Sequence, residues 1–497
     1  MTGAIFEALD ADSADSADFV IIGSGAAGAT AARVLTEAGL DVVLLEEGPL
    51  VPPRELRSDV YSGFKRVWRD AGFQVAEGRA FTPILQGSCV GGTTAINGAI
   101  IHRMPEAIFD LWQKEHGVSP DLRYAKLSRI WDQLDAELHV ARAPESVLGR
   151  NNQLMRTATE RLGIDGNHIR RNVQGCRGSA HCNQGCPTNQ RQSMNVSYVP
   201  RAVDAGARVY AGCRADRVLG KGGRASGVEG RFADGTRLTV HARRGVLLAA
   251  SAIQTPLFLA QNGIGRGSGV LGRRLQAHPG TAVVGVFDDP VRMWFGATQG
   301  YESTHFWDER MKFETVAMPL ELAAARLPGI GPELMRELSD YGHLAVWGVQ
   351  VRARAHGSVR PGIFGGKVIR YDMTDADIRV LKLGLRRLTE MMFAAGAREV
   401  LPGIHGLPAR IDSVDAFDRA FELPDDPRLF HCIAAHLFGT AVMGQSAWSS
   451  VVDLDLQTHD LPGLYVIDSS VFPTNMGVNP QHSISAIAWW AAERLAN

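Results

Sequence analysis

Residues 19–46 read FVIIGSGAAGATAARVLTEAGLDVVLLE. The apolar run 19–22 predicts a strand, the glycine-rich turn after it opens a helix that runs to Ala38, and Gly39 stops that helix. A second apolar run, 42–45, ends in Glu46 and completes a strand–helix–strand unit. Each residue type has a mechanical reason to be there. Gly23 permits the tight turn, Gly25 lets backbone approach a pyrophosphate, Gly28 lets the helix pack on the strand, and Glu46 is placed for ribose hydroxyls. With Ala26 and Ala27 between them, these residues are the candidate cradle for a dinucleotide. The pattern alone does not separate FAD from NAD.

Around this unit the chain is 497 residues long, with 45% hydrophobic and 21% charged residues, the balance of a folded globular protein. Lys plus Arg number 52 and Asp plus Glu 53, so no global field favours nucleic acid or an anionic bilayer as main partner. The 54 glycines suit tight turns and close approaches of backbone to a ligand. No run approaches the length of a membrane-spanning helix. The start is acidic and rich in Ala, Ser and Asp, which is unlike a signal peptide and reads as a flexible leader over 1–17. The expected location is cytoplasmic, a reducing compartment where six cysteines serve as thiols or metal ligands.

Further along, 87–98 reads GSCVGGTTAING, a loop whose N–H groups could lie along a polar ring or phosphate, or simply a surface turn. The apolar spacing over 121–140 predicts an amphipathic helix that covers a core. Strands are expected at 208–210, 237–240 and 246–250, then a helix from Thr255-Pro256 to Gln261. The closing segment predicts a strand at 464–467, then Asp468, a loop, and a helix from Pro480.

Seven stretches taken together carry a resemblance: GSGAAG at 23–28, LLEEGP at 44–49, GSCVGGTTAINGAIIHRMP at 87–105, LLAASAIQTPLFLAQNGI at 247–264, LGRRLQAHPG at 271–280, HLFGTAVMG at 436–444 and VIDSSVFPTNMGVNP at 466–480. In this order they resemble the glucose–methanol–choline (GMC) family of FAD-dependent oxidoreductases. The resemblance implies an α/β fold, a Rossmann-type FAD-binding domain with an inserted α+β substrate domain. It divides the chain into the leader, FAD-binding parts at 18–140, 197–284 and 431–497, a cysteine-bearing excursion at 141–196, and a substrate domain at 285–430. It makes FAD the cofactor, with the ADP moiety on Gly23, Gly25 and Glu46, and flavin contacts on Gly92, Thr93, Asn97 and Gly98. Ala215 falls on the adenine side, and Asp468 at the flavin or pyrophosphate acid. His436 takes the position of the catalytic histidine and Asn479 that of its partner, while His278 and His482 read as structural.

Oxidising an alcohol needs removal of the hydroxyl proton and transfer of a hydride. A neutral imidazole at His436 suits the first, with an ordinary pKa near working pH. Asn479 can orient the hydroxyl, and Asn479-Pro480 is also a helix start whose positive end would face the flavin. Cys176, Cys182 and Cys186 form C-x5-C-x3-C, which suits a [3Fe–4S] cluster and is similar to the iron–sulfur-bearing glucose dehydrogenases of this family. Free thiols, or zinc with His181, are the alternatives. Trp294, Phe295, Tyr301, Phe306, Trp307, Phe313 and Trp347 could line a pocket for an apolar or cyclic alcohol, a sugar or an aminosugar, or could be core. The electron acceptor is left open. A non-redox lyase holding FAD as scaffold, an oxidase reducing O2 without a cluster, and a binding or electron-carrier protein are the rival readings.

Overall fold

The computed structural model describes residues 3–363 and 365–497. Strand Ser13–Ile22, helix Ala26–Glu37 and strand Val42–Glu46 form the first unit, and the strands pair in parallel from Phe19 opposite Val42 to Ile22 opposite Leu45. Every residue of Val42–Glu46 is buried, as fits a parallel strand covered on both faces. The sheet built on this unit runs, from one edge, Ala4–Phe6, Arg208–Ala211, Val42–Glu46, Ser13–Ile22, Arg237–Leu248, Arg224–Arg231 and Arg214–Lys221, with Leu464–Val466 also paired to Arg237–Leu248. The alanine-rich helix Ala26–Glu37 and the last helix, Gln481–Ala496, share one apolar core with these strands.

Three expectations change here. Residues 4–6 and 13–17 are strand, not a loose leader: Ala4 pairs with Arg208, and Ser13 with Leu238. Along strand Ser13–Ile22, Asp15 accepts from Arg208 Nε at 2.8 Å and Asp18 from Arg243 Nε at 2.9 Å. The strands expected at 237–240 and 246–250 are one strand with a register shift between Ala242 and Gly245. Its first half pairs with an antiparallel hairpin, 214–231, that the sequence reading missed.

The inserted region contributes most of a second, antiparallel sheet ordered Glu399–Leu401, Gln276–Val286, Leu344–Val351, Met311–Thr315, Tyr301–Ser303 and Asn167–His168, with Ile433–Phe438 also paired to Gln276–Val286. Strands from outside 285–430 thus belong to it. Helix Asp375–Ala394 covers this sheet, packing Leu381, Leu385 and Leu388 into a core with Val283, Trp347 and Val349. It starts on a capping box, where Thr374 and Asp377 satisfy each other's backbone N–H. Among the described residues no helix is long and apolar enough to cross a membrane.

Candidate active site

A cavity of about 1340 Å³ lies where the carboxyl ends of the parallel strands, at Ile22, Glu46 and Ala249, meet the second sheet at His278, Gly348 and His436. Ligand pockets typically hold about 300–1,000 Å³, so this one has room for a dinucleotide and a small substrate together. Its position outside the carboxyl ends of a parallel sheet is where α/β folds bind ligands.

The end of the cavity expected to hold the nucleotide is built from backbone. Gly23 has φ of +98°, and a Cβ there would lie 2.5 Å from the Ala249 carbonyl oxygen. Gly25, Ala26, Ala27, Gly92, Thr93, Asn97, Gly98 and Ala215 are all on the wall. Gly28 is not: a Cβ there would meet the Gly23 carbonyl oxygen at 1.8 Å, so it acts by helix-on-strand packing and not by contact with a ligand. Buried Glu46 accepts from Ser24 N at 2.9 Å, Ser24 Oγ at 2.7 Å and Gly48 N at 2.9 Å. Burial and then Glu47 raise its pKa, and these hydrogen bonds only partly offset them.

Two expected contact residues use their side chains within the protein. Asn97 Nδ2 donates to Gln481 Oε1 at 2.6 Å, tying the 87–98 loop to the last helix. Asp468 accepts from Ser251 N at 2.9 Å, Thr255 Oγ1 at 2.6 Å and Ser470 N at 2.8 Å, so its carboxylate anchors the start of helix Ser251–Gln261. Pro480 and Gln481 bring the amino-terminal turn of the last helix to the cavity wall. Backbone N–H groups at such an end favour negative charge.

His436 and Asn479 meet inside the cavity, with His436 Nε2 3.3 Å from Asn479 Nδ2. His436 comes from strand Ile433–Phe438 and Asn479 from the loop before the last helix. Burial, and then the positive charge of Lys312 and His102, push the His436 imidazole down to about 3, far from the near-neutral value expected of it. It is therefore neutral at working pH. Asn479 does not cap the helix, which begins at Gln481; its Oδ1 accepts instead from Lys312 Nζ at 2.6 Å.

Sequence reasoning missed much of what surrounds the couple. His278, read as structural, lines the cavity, and its Nδ1 lies 3.3 Å from His436 Nδ1 while its Nε2 accepts from Gly477 N at 2.8 Å. Lys312 is wholly buried between Glu302, 2.8 Å away, and Glu314. Glu302 also meets His102 Nε2 at 2.8 Å. The one sequence signal was Lys312 and Glu314 two apart, on one face of a strand.

The aromatic residues proposed for the pocket do not line it. Tyr301, Phe313 and Trp347 are core, Phe306 and Trp307 pack against core, and Trp294 and Phe295 are exposed. Charged and aromatic composition alone could not separate these fates.

Cys176, Cys182 and Cys186 do come together, around a separate cavity of about 20 Å³. That is room for about one water, since a water needs roughly 10–15 Å³ by this measure. Arg171, wholly buried, points its guanidinium at Cys176 Sγ, 4.0 Å away, and Cys182 Sγ, 3.3 Å away, and holds the Gly98 carbonyl with Nε and Nη2 at 3.2 and 3.1 Å. Burial raises the Cys182 thiol, but the Arg171 and Arg191 guanidiniums outweigh it and lower the pKa. Among the described residues no three His, Cys, Asp or Glu side chains are arranged to hold a metal ion. With the Arg171 guanidinium against two of the three thiols and room for about one water beside them, the arrangement does not support the expected [3Fe–4S] cluster, and His181 does not complete a zinc site.

Comparison with known proteins agrees with this architecture. The GMC oxidoreductase model for the amino-terminal part matches residues 17–280, and that for the carboxy-terminal part matches 367–488. The chain belongs to the GMC oxidoreductase family, a class of enzymes. It is 38% identical over 496 residues to an uncharacterized GMC-type oxidoreductase of Mycobacterium tuberculosis, covering 98% of this chain and 76% of that protein. It is 33% identical over 494 residues to the uncharacterized GMC-type oxidoreductase y4nJ of Sinorhizobium fredii, covering 96% and 94%. Long-chain-alcohol oxidase FAO1 of Arabidopsis thaliana is 26% identical over 518 residues, covering 96% and 66%. Among solved structures, pyridoxine 4-oxidase from Mesorbium loti has a TM-score of 0.73 at 18% identity, covering 96% of this chain and 98% of that one. Formate oxidase of Aspergillus oryzae RIB40, whose FAD undergoes modification, has a TM-score of 0.74 at 18% identity, covering 98% and 99%. These structural likenesses concern the fold.

Proposed function

We propose that the protein oxidises the CH–OH group of an alcohol to a carbonyl, with FAD held in the large cavity, His436 taking up the hydroxyl proton and Asn479 orienting the oxygen. The observation that carries this reading is one continuous cavity joining the Gly23/Gly25/Glu46 cradle to the His436/Asn479 couple. FAD fits the residues present: the glycines leave room for a ligand's approach, and a helix start faces the same space. When bound, FAD supplies the acceptor for the hydride. A neutral, buried imidazole beside an amide can receive a hydroxyl group and hold its oxygen in place.

An apolar alcohol would meet Val316, Met318, Leu322 and Phe430 on the remaining wall, which also carries polar Thr281, Gln299, Glu314, Arg326 and Gln350. The name of the Arabidopsis thaliana relative, a long-chain-alcohol oxidase, points the same way. The cysteines, whose cavity admits about one water, have no assigned step in this reading.

Anaerobic mixing of the FAD-loaded protein with a panel of aliphatic, cyclic and sugar alcohols tests the reading. Bleaching of flavin absorbance by at least one aliphatic or cyclic alcohol is the expected result. A flavin that no alcohol reduces would favour the lyase reading instead.

A further inference from the structure

Two hydrogen-bond donors at the edges of the His436/Asn479 couple have no freedom to reverse. An ammonium carries three N–H groups and no acceptor, so the Asn479 atom facing Lys312 Nζ at 2.6 Å must be the oxygen. Lys312 uses its other hydrogens on Glu302 and Glu314, which fixes it in place. Asn479 therefore turns its Nδ2 hydrogens toward His436. On the other side, the Gly477 backbone N–H can only donate, so His278 Nε2, 2.8 Å away, offers its lone pair. Burial and then His436 keep His278 neutral against an opposing hydrogen bond with Asn475, so its hydrogen is assigned to Nδ1, the nitrogen 3.3 Å from His436 Nδ1. Neutral His436 must then carry its own hydrogen on Nε2. Polarity imposed from both ends thus collides at one contact, His436 Nε2–H against Asn479 Nδ2–H across 3.3 Å.

We propose that Lys312 is a positioning residue which, with the Gly477 N–H, makes the resting His436/Asn479 couple a two-hydrogen receptor for an oxygen that only accepts: an alkoxide, a carbonyl product or a carboxylate. The inference rests on the reading of this pocket as the site of alcohol oxidation. Uptake of the hydroxyl proton at His436 Nε2 then requires both rings to change tautomer: His278 passes its Nδ1 hydrogen to His436 Nδ1, His436 gives up its Nε2 hydrogen, and His278 takes one at Nε2 and loses the Gly477 hydrogen bond, so the pair's proton count is unchanged. The resting form instead holds small carboxylates, which compete with the alcohol.

Acetate is the probe. In the FAD-loaded wild type, acetate is expected to perturb the flavin spectrum and to compete with the alcohol, and nitrogen NMR of isotope-labelled histidine should find the His436 hydrogen on Nε2. Lys312→Met should weaken acetate about 10-fold or more with FAD content unchanged. A triple variant, Lys312→Met with Glu302→Gln and Glu314→Gln, removes the buried ions together. Loss of orientation predicts weakened acetate there too, whereas a purely Coulombic effect predicts tighter binding, because the triple change removes net negative charge. Tight acetate binding in that variant, no acetate binding to the wild type, or a His436 hydrogen on Nδ1 overturns the proposal, and the NMR measurement decides even if neither variant folds. Flavin reduction by an alcohol without competition from acetate would sink the polarity argument alone. Acetate binding without reduction by any alcohol would sink the oxidation reading and leave the polarity argument standing.

Discussion

Side chain by side chain, the couple depends on groups that sequence order keeps far apart. His436→Ala should keep its FAD, because the nucleotide cradle is built elsewhere, while flavin reduction by the substrate falls by about 10²-fold or more, the cost of losing a general base. Stopped-flow absorbance measures this, and an unchanged rate would remove His436 from the reaction. His436, Asn479 and the glycine cradle were legible because each belongs to a short local motif. His278 and Lys312 were not, because their meaning lies in contacts across 158 and 167 positions of chain. The cysteines mark the same limit from the other side: their spacing suggested a ligand set, and only the folded chain shows the Arg171 guanidinium against Cys176 and Cys182, with no metal-holding group among the described residues.

Secondary-structure elements were readable where a periodic apolar pattern coincided with clear stops. The unit at 19–46 has both, and the helix expected over 121–140 is found as Tyr124–Glu137. The hairpin at 214–231 was lost because RADRVLGK and RASGVEGR are charged, glycine-bearing and only partly buried, with no clean alternation. The strands at 4–6 and 13–17 were lost because the acids beside and within them resemble a solvated tail until the arginine partners of Asp15 and Asp18 are in view. Helix Asp375–Ala394 is the element on which the second sheet rests. Truncating its buried Leu385 to Ala should destabilise the protein by about 2–5 kcal/mol, through lost burial and the space left behind. Urea titration followed by tryptophan fluorescence reads this out, and a change of only a few tenths of a kcal/mol would mean that the helix is not holding the sheet.

For the whole molecule, buried titratable groups dictate the response to acid. The His436 ring titrates at about 3 when folded against 6.5 ordinarily, so the unfolded chain binds a proton that the folded chain refuses in that interval. Stability contributed by its neutrality is present above 6.5 and declines as pH falls toward 3. For Glu302, burial raises the pKa but Lys312 and then His102 outweigh it, holding the carboxyl at about 2 against 4.5 ordinarily. Its contribution is present above 4.5 and is lost as pH falls toward 2. Melting temperature should therefore drop from neutrality downward and more steeply below 4.5. His436→Gln should flatten the upper part of this curve by about one proton, and an identical slope in both proteins would contradict the folded-state burial of that ring. The pairing of Gln276–Val286 with Ile433–Phe438, in which Pro279 faces Ala434, has a practical consequence for recombination. A graft that takes only 285–430 from a homologous chain leaves both imidazoles with the host yet replaces the ammonium that aims the amide. Chimeras bred for new substrates need their crossovers before residue 276 and after 480, so that His278, Lys312, His436, Gly477 and Asn479 move together.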